Sequence, residues 1–342
     1  MDRLSIEERV ERDLAFHILN FGGGRDSTAM VLKVLNDELA PPDAILFADT
    51  GWERAGTHAN VDRFADRIRD KGIEFAVVSD GNIRERALDL KVSLPVFTNA
   101  SRYATVADRR ELRREEARKA YRDERKKKDL FPNLFPDFLV TEDEFVAAVL
   151  EKFEADVEAG IIQDGWLEMR TTQMRRGCTH RHKIKPIRDW CKSHFDFSED
   201  ALLGTWLGIA TDEWHRMSKS PEADTVLVYP LFYLGMSKVE CVEYIEKCGY
   251  PVPVKSSCIG CPFHSDALWL ELNDEERADA EAFERDLNVA ISTGKYADKP
   301  YFANGAHLHR TKIPLSERPY AKKRKVEAGE QDGVCGEAGC FL

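Results

Sequence analysis

The stretch Phe16-His17-Ile18-Leu19-Asn20-Phe21-Gly22-Gly23-Gly24-Arg25-Asp26-Ser27-Thr28, running on to Leu35, decides the fold. Residues 15–20 form a short apolar run that ends at a glycine triplet. Residues 27–35 then place apolar side chains at helical spacing. The period changes across the glycines, which reads as strand, tight loop, helix. In such a loop, glycines let backbone N–H groups approach phosphate oxygens closely. The helix N-terminus adds partial positive charge, and Ser27 and Thr28 add hydroxyl donors. The pattern is neither GxxxxGK[ST] nor GxGxxG. Taken alone, the triplet also fits a plain tight turn.

Working outward, residues 44–48 (AILFA) read as a buried strand, followed by the polar turn Asp49-Thr50-Gly51. A helix over 57–71 and a strand over 73–78 come next. The pattern returns at 202–210, at 226–231 and in a helix over 237–248. Strands alternating with helices predict an α/β fold with a parallel sheet and helices on both faces. Between these blocks, residues 102–128 hold twelve Lys/Arg and six Asp/Glu, and residues 141–158 form an acidic helical stretch. This predicts a charged helical insertion over 97–165. The nucleotide-binding domain would then comprise 1–96 and 166–270, and 271–342 would be a helical extension with a flexible tail.

The chain has 342 residues and is 43% hydrophobic, enough for a full core, which excludes global disorder. No run approaches the roughly 18 apolar residues of a membrane span, and the start does not read as a signal peptide. A soluble, cytoplasmic protein with no membrane partner is expected. The net charge of −11 counts against a wholly basic nucleic-acid coat but not against local basic patches. Eight cysteines, none in the first half, are too few for a disulfide scaffold. They read as thiols or as ligands of a metal or cluster. Cys258-Ile259-Gly260-Cys261 is a C-x-x-C pair able to hold one metal from a single turn. Cys191 and Cys241 fall in apolar helical settings and read as core. Many basic residues lie between Arg170 and Arg188, where a solvated face and an anion site are competing readings. The same two readings apply to the 102–128 helix.

The order Gly-Gly-x-Asp-Ser resembles the SGGxDS loop of the PP-loop ATP pyrophosphatase and PAPS reductase-like (adenine-nucleotide α-hydrolase) superfamily, with Gly22 at the position of its serine. Four more segments are similar in the same order. Phe47-Ala48-Asp49-Thr50-Gly51-Trp52-Glu53 resembles DTG-x-E, and Cys178-Thr179 with Lys183-Ile184-x-Pro186-Ile187 resembles CC-x-x-x-K-[VI]-x-P-[LI]. Residues 208–216, with Gly208, Asp212, Glu213 and Arg216, resemble G-x-R-x-x-E-x-x-R. Tyr229-Pro230-Leu231 and the C-x-x-C pair resemble the closing elements.

The resemblance implies an HUP/Rossmann-like, mainly parallel five-stranded sheet with the nucleotide at the carboxyl ends of its strands. It implies ATP held on Gly22, Gly23, Gly24, Arg25, Asp26, Ser27 and Thr28, with Asp49, Thr50, Gly208, Asp212 and Glu213 around it. Mg²⁺ would be held in part by Asp26 or Asp49, and the catalytic set would be Asp26, Ser27, Asp49, Lys183 and Arg216. Cys178 would join Cys258 and Cys261 as ligands, with Cys248 or Cys241 as a fourth. Sulfur-only ligation suits a [4Fe–4S] cluster, and zinc completed by histidine is the alternative. The implied activity is cleavage of ATP to AMP and pyrophosphate. That step would adenylate an acceptor, DNA or tRNA, for sulfur insertion of the DNA phosphorothioation or tRNA thiolation type, with sulfur from a cysteine desulfurase or another donor. A sulfonucleotide (APS or PAPS) reductase and a non-catalytic nucleotide-binding subunit are the alternatives. The tail pair Cys335 and Cys340 is open to a sulfur-relay or metal role, or none.

Overall fold

The computed structural model describes residues 14–92, 94–98, 100–130, 140–169, 177–195, 201–220, 222–297, 299, 302 and 305–317. Arg170, Arg175, Arg176, the basic run 322–325 and the cysteines Cys335 and Cys340 lie outside these residues. The chain divides into two compact units. One comprises residues 1–97, 172–298 and 306–342, the other 98–171 and 299–305.

The first unit is built on five strands, β1 (Phe16–Asn20), β2 (Ala44–Ala48), β3 (Glu74–Val78), β4 (Leu203–Trp206) and β5 (Thr225–Val228). Their order is β3-β2-β1-β4-β5, and every pairing is parallel. The helices are α1 (Arg25–Leu35), α2 (Ala55–Asp70), α3 (Ile83–Leu88), α4 (Lys185–His194), α5 (Lys238–Lys247), α6 (Asp266–Glu271) and α7 (Asp274–Thr293). This is the α/β, Rossmann-like architecture expected from the sequence. Successive strand residues point to opposite faces. Leu19 and Ile45 therefore pack with Met30, Val34, Phe64 and Ile245 from α1, α2 and α5. Ile18 and Leu46 pack with Ile187 and Cys191 of α4 on the other face. Because both faces are covered, the strands read as continuous apolar runs rather than alternating ones.

The strand order changes direction between β1 and β4, so a crevice opens outside their carboxyl ends, where open α/β sheets bind ligands. The run expected as strand through 210 stops at Trp206, and Gly208 turns the chain over the start of α1. The segment expected to stand apart from residue 271 is part of this unit. α7 carries Phe283 against Trp52, with ring centroids 4.6 Å apart, and Glu276 in a buried ion pair with Arg54.

In the second unit, helices Val106–Leu130 and Glu142–Glu158 lie against each other, and strands Ala100–Ala104 and Gly165–Met169 pair antiparallel. The boundaries expected at 97 and 165 fall at 98 and 171. Tyr121 and Phe145 meet in the seam, and the Tyr121 hydroxyl donates to Val140 O. Arg110 pairs with Glu154, and Arg118 and Arg122 pair with Glu142. Of the two readings of the basic helix, the geometry favours the solvated one, because part of its positive charge faces an acidic partner. Among the described residues no helix is long and apolar enough to cross a membrane.

Candidate functional site

The glycine loop is shaped by what stands behind it. Gly23 has φ +70, and a Cβ there would lie 2.9 Å from both Thr57 Cγ2 and Val61 Cγ2, so only glycine fits. Buried Asn60 donates to Gly23 O (3.1 Å) and to Thr28 Oγ1 (2.8 Å). Thr28 Oγ1 in turn donates to Gly24 O (2.7 Å), and Ser27 Oγ reaches the same carbonyl at 3.2 Å. Thr28 is wholly buried. Its expected role as a phosphate donor is therefore corrected: it latches the loop from the core side, on the same helix face as Leu32. Gly24 is the N-cap of α1 and supplies no side-chain cap. The first-turn N–H groups of α1 are thus left for a ligand.

Gly22, Gly24, Arg25, Asp26 and Ser27 line a cavity of about 180 Å³, together with Gly208, Glu213, Arg216, Lys183 and Lys238. At Gly208 a Cβ would stand 2.9 Å from Ser27 N, so the β4 exit presses directly on the helix start. The lining also includes the apolar residues Phe47, Ile184, Ile187, Leu203 and Leu227.

The floor is charged. Glu213 Oε1 accepts from Arg216 Nη1 (2.7 Å) and lies 2.9 Å from Lys238 Nζ. Burial raises the Glu213 carboxyl, but Arg216 and Lys238 outweigh it and hold the group below the usual range. Asp26 is pushed up to about 7, first by burial and then by the Glu213 charge. A carboxyl held up in this way beside other acids is one whose ionised form a divalent cation would favour. Asp212 stands outside the cavity lining, where its Oδ1 accepts from Lys238 N (3.1 Å).

Asp49 and Thr50, expected around the nucleotide, are not among the residues that line this cavity. Asp49 Oδ1 accepts from Gly51 N (2.7 Å) and shapes the turn after β2. Thr50, also buried, donates to Glu53 Oε1 (3.1 Å) and lies 3.3 Å from Cys258 Sγ. Glu53 bridges to Cys258 through the backbone, and Lys183 Nζ sits 3.6 Å from Glu53 Oε1. Lys183 reaches this position from a π-helical turn, His180–Ile184, which shifts side chains off the α-helical register. Burial alone would depress the Lys183 ammonium. Glu53, then Cys258, Cys178 and Cys261, hold it above its ordinary value. Three of the four expected ligand cysteines therefore act electrostatically on one ammonium. The Cys258 thiol is itself pushed up, by burial and then by Glu53.

Cys248 does not join them. It caps the far end of α5, where Asn36, just past α1, donates to its Sγ at 3.5 Å, so the length of α1 separates it from the glycine loop. Cys241, the other fourth-ligand candidate, and Cys191 are core residues, their thiols pushed up to about 12 by burial. Among the described residues no three His, Cys, Asp or Glu are grouped to hold a metal. His182 and His264 act as buried supports. His182 Nδ1 lies 3.2 Å from Gly81 O. His264 lies 3.0 Å from Ser257 Oγ and is pushed down to about 3, first by burial.

Much of the described basic stretch is paired at short range: Arg181 with Asp80, Lys185 with Asp189, and Arg188 with Glu222 and Asp224. The sequence reading did not single out Asn60, Glu53 or Lys238 as site residues. Asn60 and Lys238 reach the site through tertiary packing and carry no local motif, whereas Glu53 closes the DTG-x-E segment without having been assigned a role. No protein-family model matches the chain, and no curated protein matches it in sequence.

Proposed function

We propose that this chain is a PP-loop enzyme that cleaves ATP to AMP and pyrophosphate. It would adenylate an acceptor of the nucleic-acid class for sulfur insertion. The observation that carries the reading is one cavity in which the uncapped first turn of α1 faces Lys183 and Arg216 at the strand-order switch. The resemblance of five motifs in order supports it independently. The phosphates would rest on the N–H groups of residues 24–27. The apolar lining residues Phe47, Ile184, Ile187, Leu203 and Leu227 would take the base. An acceptor oxygen would attack the α-phosphorus, and the bond from that phosphorus to the bridging oxygen would break, releasing pyrophosphate. Lys183 and Arg216 would meet the charge that develops on the phosphate oxygens. Mg²⁺, when bound, would neutralise phosphate charge, with Asp26 as its protein ligand. Cys258, Cys178 and Cys261 all act on the charge of Lys183, the cation proposed for the phosphate side. This supports the sulfur-transfer half of the reading, with the sulfur supplied by a desulfurase or another donor.

The test uses α-labelled ATP and Mg²⁺ with and without DNA or tRNA, followed by separation of AMP and pyrophosphate. Acceptor-dependent AMP and pyrophosphate are the expected products. Sulfite release from PAPS with thioredoxin, without ATP cleavage on either acceptor, would overturn the reading in favour of a sulfonucleotide reductase.

A further inference from the structure

The cavity floor contains a cation that the mechanism above leaves unused. Lys238 is the first residue of α5, set by a capping box between Ser237 and Glu240. Its N–H donates to Asp212 Oδ1 (3.1 Å), and Thr211 N donates to Met236 O (2.8 Å). These two bonds fasten the start of α5 to the turn at Thr211–Arg216. The two helices α1 and α5 run side by side in the same direction. Asn36, just past α1, meets Tyr244 and Cys248 at the end of α5. Both helix starts therefore lie at the cavity end of the sheet.

The Lys238 ammonium and the Arg216 guanidinium share one oxygen, Glu213 Oε1, at 2.9 and 2.7 Å. Two cations on one oxygen lie close enough for a single phosphate to touch both. An ammonium has three donors, so one contact to Glu213 leaves donors on Lys238 for another acceptor. The Lys238 side chain keeps 33% of its exposure and lines the cavity beside Asp26 and Gly24.

We propose that Lys238 is a phosphate-binding residue of this cavity, paired with Arg216 through Glu213, and that it takes the pyrophosphate end of the nucleotide. The inference rests on the nucleotide reading above and adds the residue that would recognise the leaving group. Lysine suits a mobile leaving group because it binds phosphate as a point charge, whereas the arginine fork fixes orientation. No covalent bond to Lys238 forms at any stage.

The test is calorimetric titration of the full chain in Mg²⁺ with inorganic pyrophosphate and, separately, with AMP. K238M is expected to weaken pyrophosphate about tenfold or more, the loss of a charged hydrogen bond, while AMP changes less than about twofold. K238R should recover most of the pyrophosphate affinity. Unchanged pyrophosphate affinity in K238M overturns the inference and leaves the nucleotide reading standing. Equal loss of AMP and pyrophosphate affinity also overturns it, because Lys238 would then be scaffold. If the wild-type chain binds neither probe, the nucleotide reading itself fails and the inference falls with it.

Discussion

Replacing Gly208 with alanine tests whether the cavity depends on the contact between the β4 exit and the start of α1. The new Cβ would stand 2.9 Å from Ser27 N, 3.1 Å from Asp26 C and 3.2 Å from Ser27 Cα. All three are backbone atoms. The helix behind them is anchored by Thr28, Ala29, Met30 and Val31, each wholly buried, so it cannot slide away without opening the core. To regain ordinary contact, the two segments must part by about 0.5 Å. Overpacking of this kind costs about 1–3 kcal/mol, and each kcal/mol lowers the unfolding midpoint of a domain this size by about 2–4 °C. The functional loss should be larger than the loss of stability alone implies. The methyl covers the Ser27 N–H, and displacing positioning groups by about 1 Å costs on the order of 100-fold. Half that displacement predicts roughly tenfold weaker ATP binding. Thermal unfolding and calorimetric ATP titration read the two effects. A G208A protein within about 0.5 kcal/mol of wild type in stability, with unchanged ATP affinity, would refute the reasoning.

Three further perturbations probe the same site. The folded-state value of Asp26 lies above that of an unfolded aspartate, so the folded chain holds the proton longer. Stability should fall as pH rises from about 4 towards about 7, and D26N should remove that fall in denaturant titrations run with a chelator; an identical slope in both proteins would contradict this. K183M leaves the Glu53 carboxylate, whose side chain is 1% exposed, without its cation and should cost about 3–5 kcal/mol, most of it recovered by E53Q in the same chain; equal stability of the single and double variants would count against it. N60A removes the donor to Gly23 O and Thr28 Oγ1 and should cost about 1–3 kcal/mol, with faster amide exchange across residues 23–28 as the local sign.

The strand–loop–helix core was legible because the change in apolar period coincides with the glycine triplet, and local chemistry alone sets both. Fold class followed from repeating that unit. The candidates Asp26, Ser27, Lys183 and Arg216, each read from a local motif, line one cavity. Position 28 misled because its hydroxyl is a phosphate donor by chemistry, while its helix face, shared with Leu32, turns it into the core. Cys248 was an open choice for a fourth ligand because the sequence does not show where α5 carries it. Lys238 and Asn60 were silent for the complementary reason, since each reaches the cavity through packing between elements far apart in sequence. Charge counting over 102–128 could not see that an acidic helix lies alongside the basic one.

The antiparallel ladder of the second unit bears on how such a chain can be assembled and trimmed. Ala100 faces Met169 and Ala104 faces Gly165, so the polypeptide enters and leaves the helical pair through neighbouring positions. A segment whose ends meet in this way is a cassette. Residues 105–164 are open to replacement by a two-residue hairpin turn joining 104 to 165, because the pairing on either side of the cut is kept. Gain or loss of the whole helical pair in one event is therefore compatible with an unaltered glycine loop. Variation in length among chains built on this plan should be concentrated there rather than in the sheet.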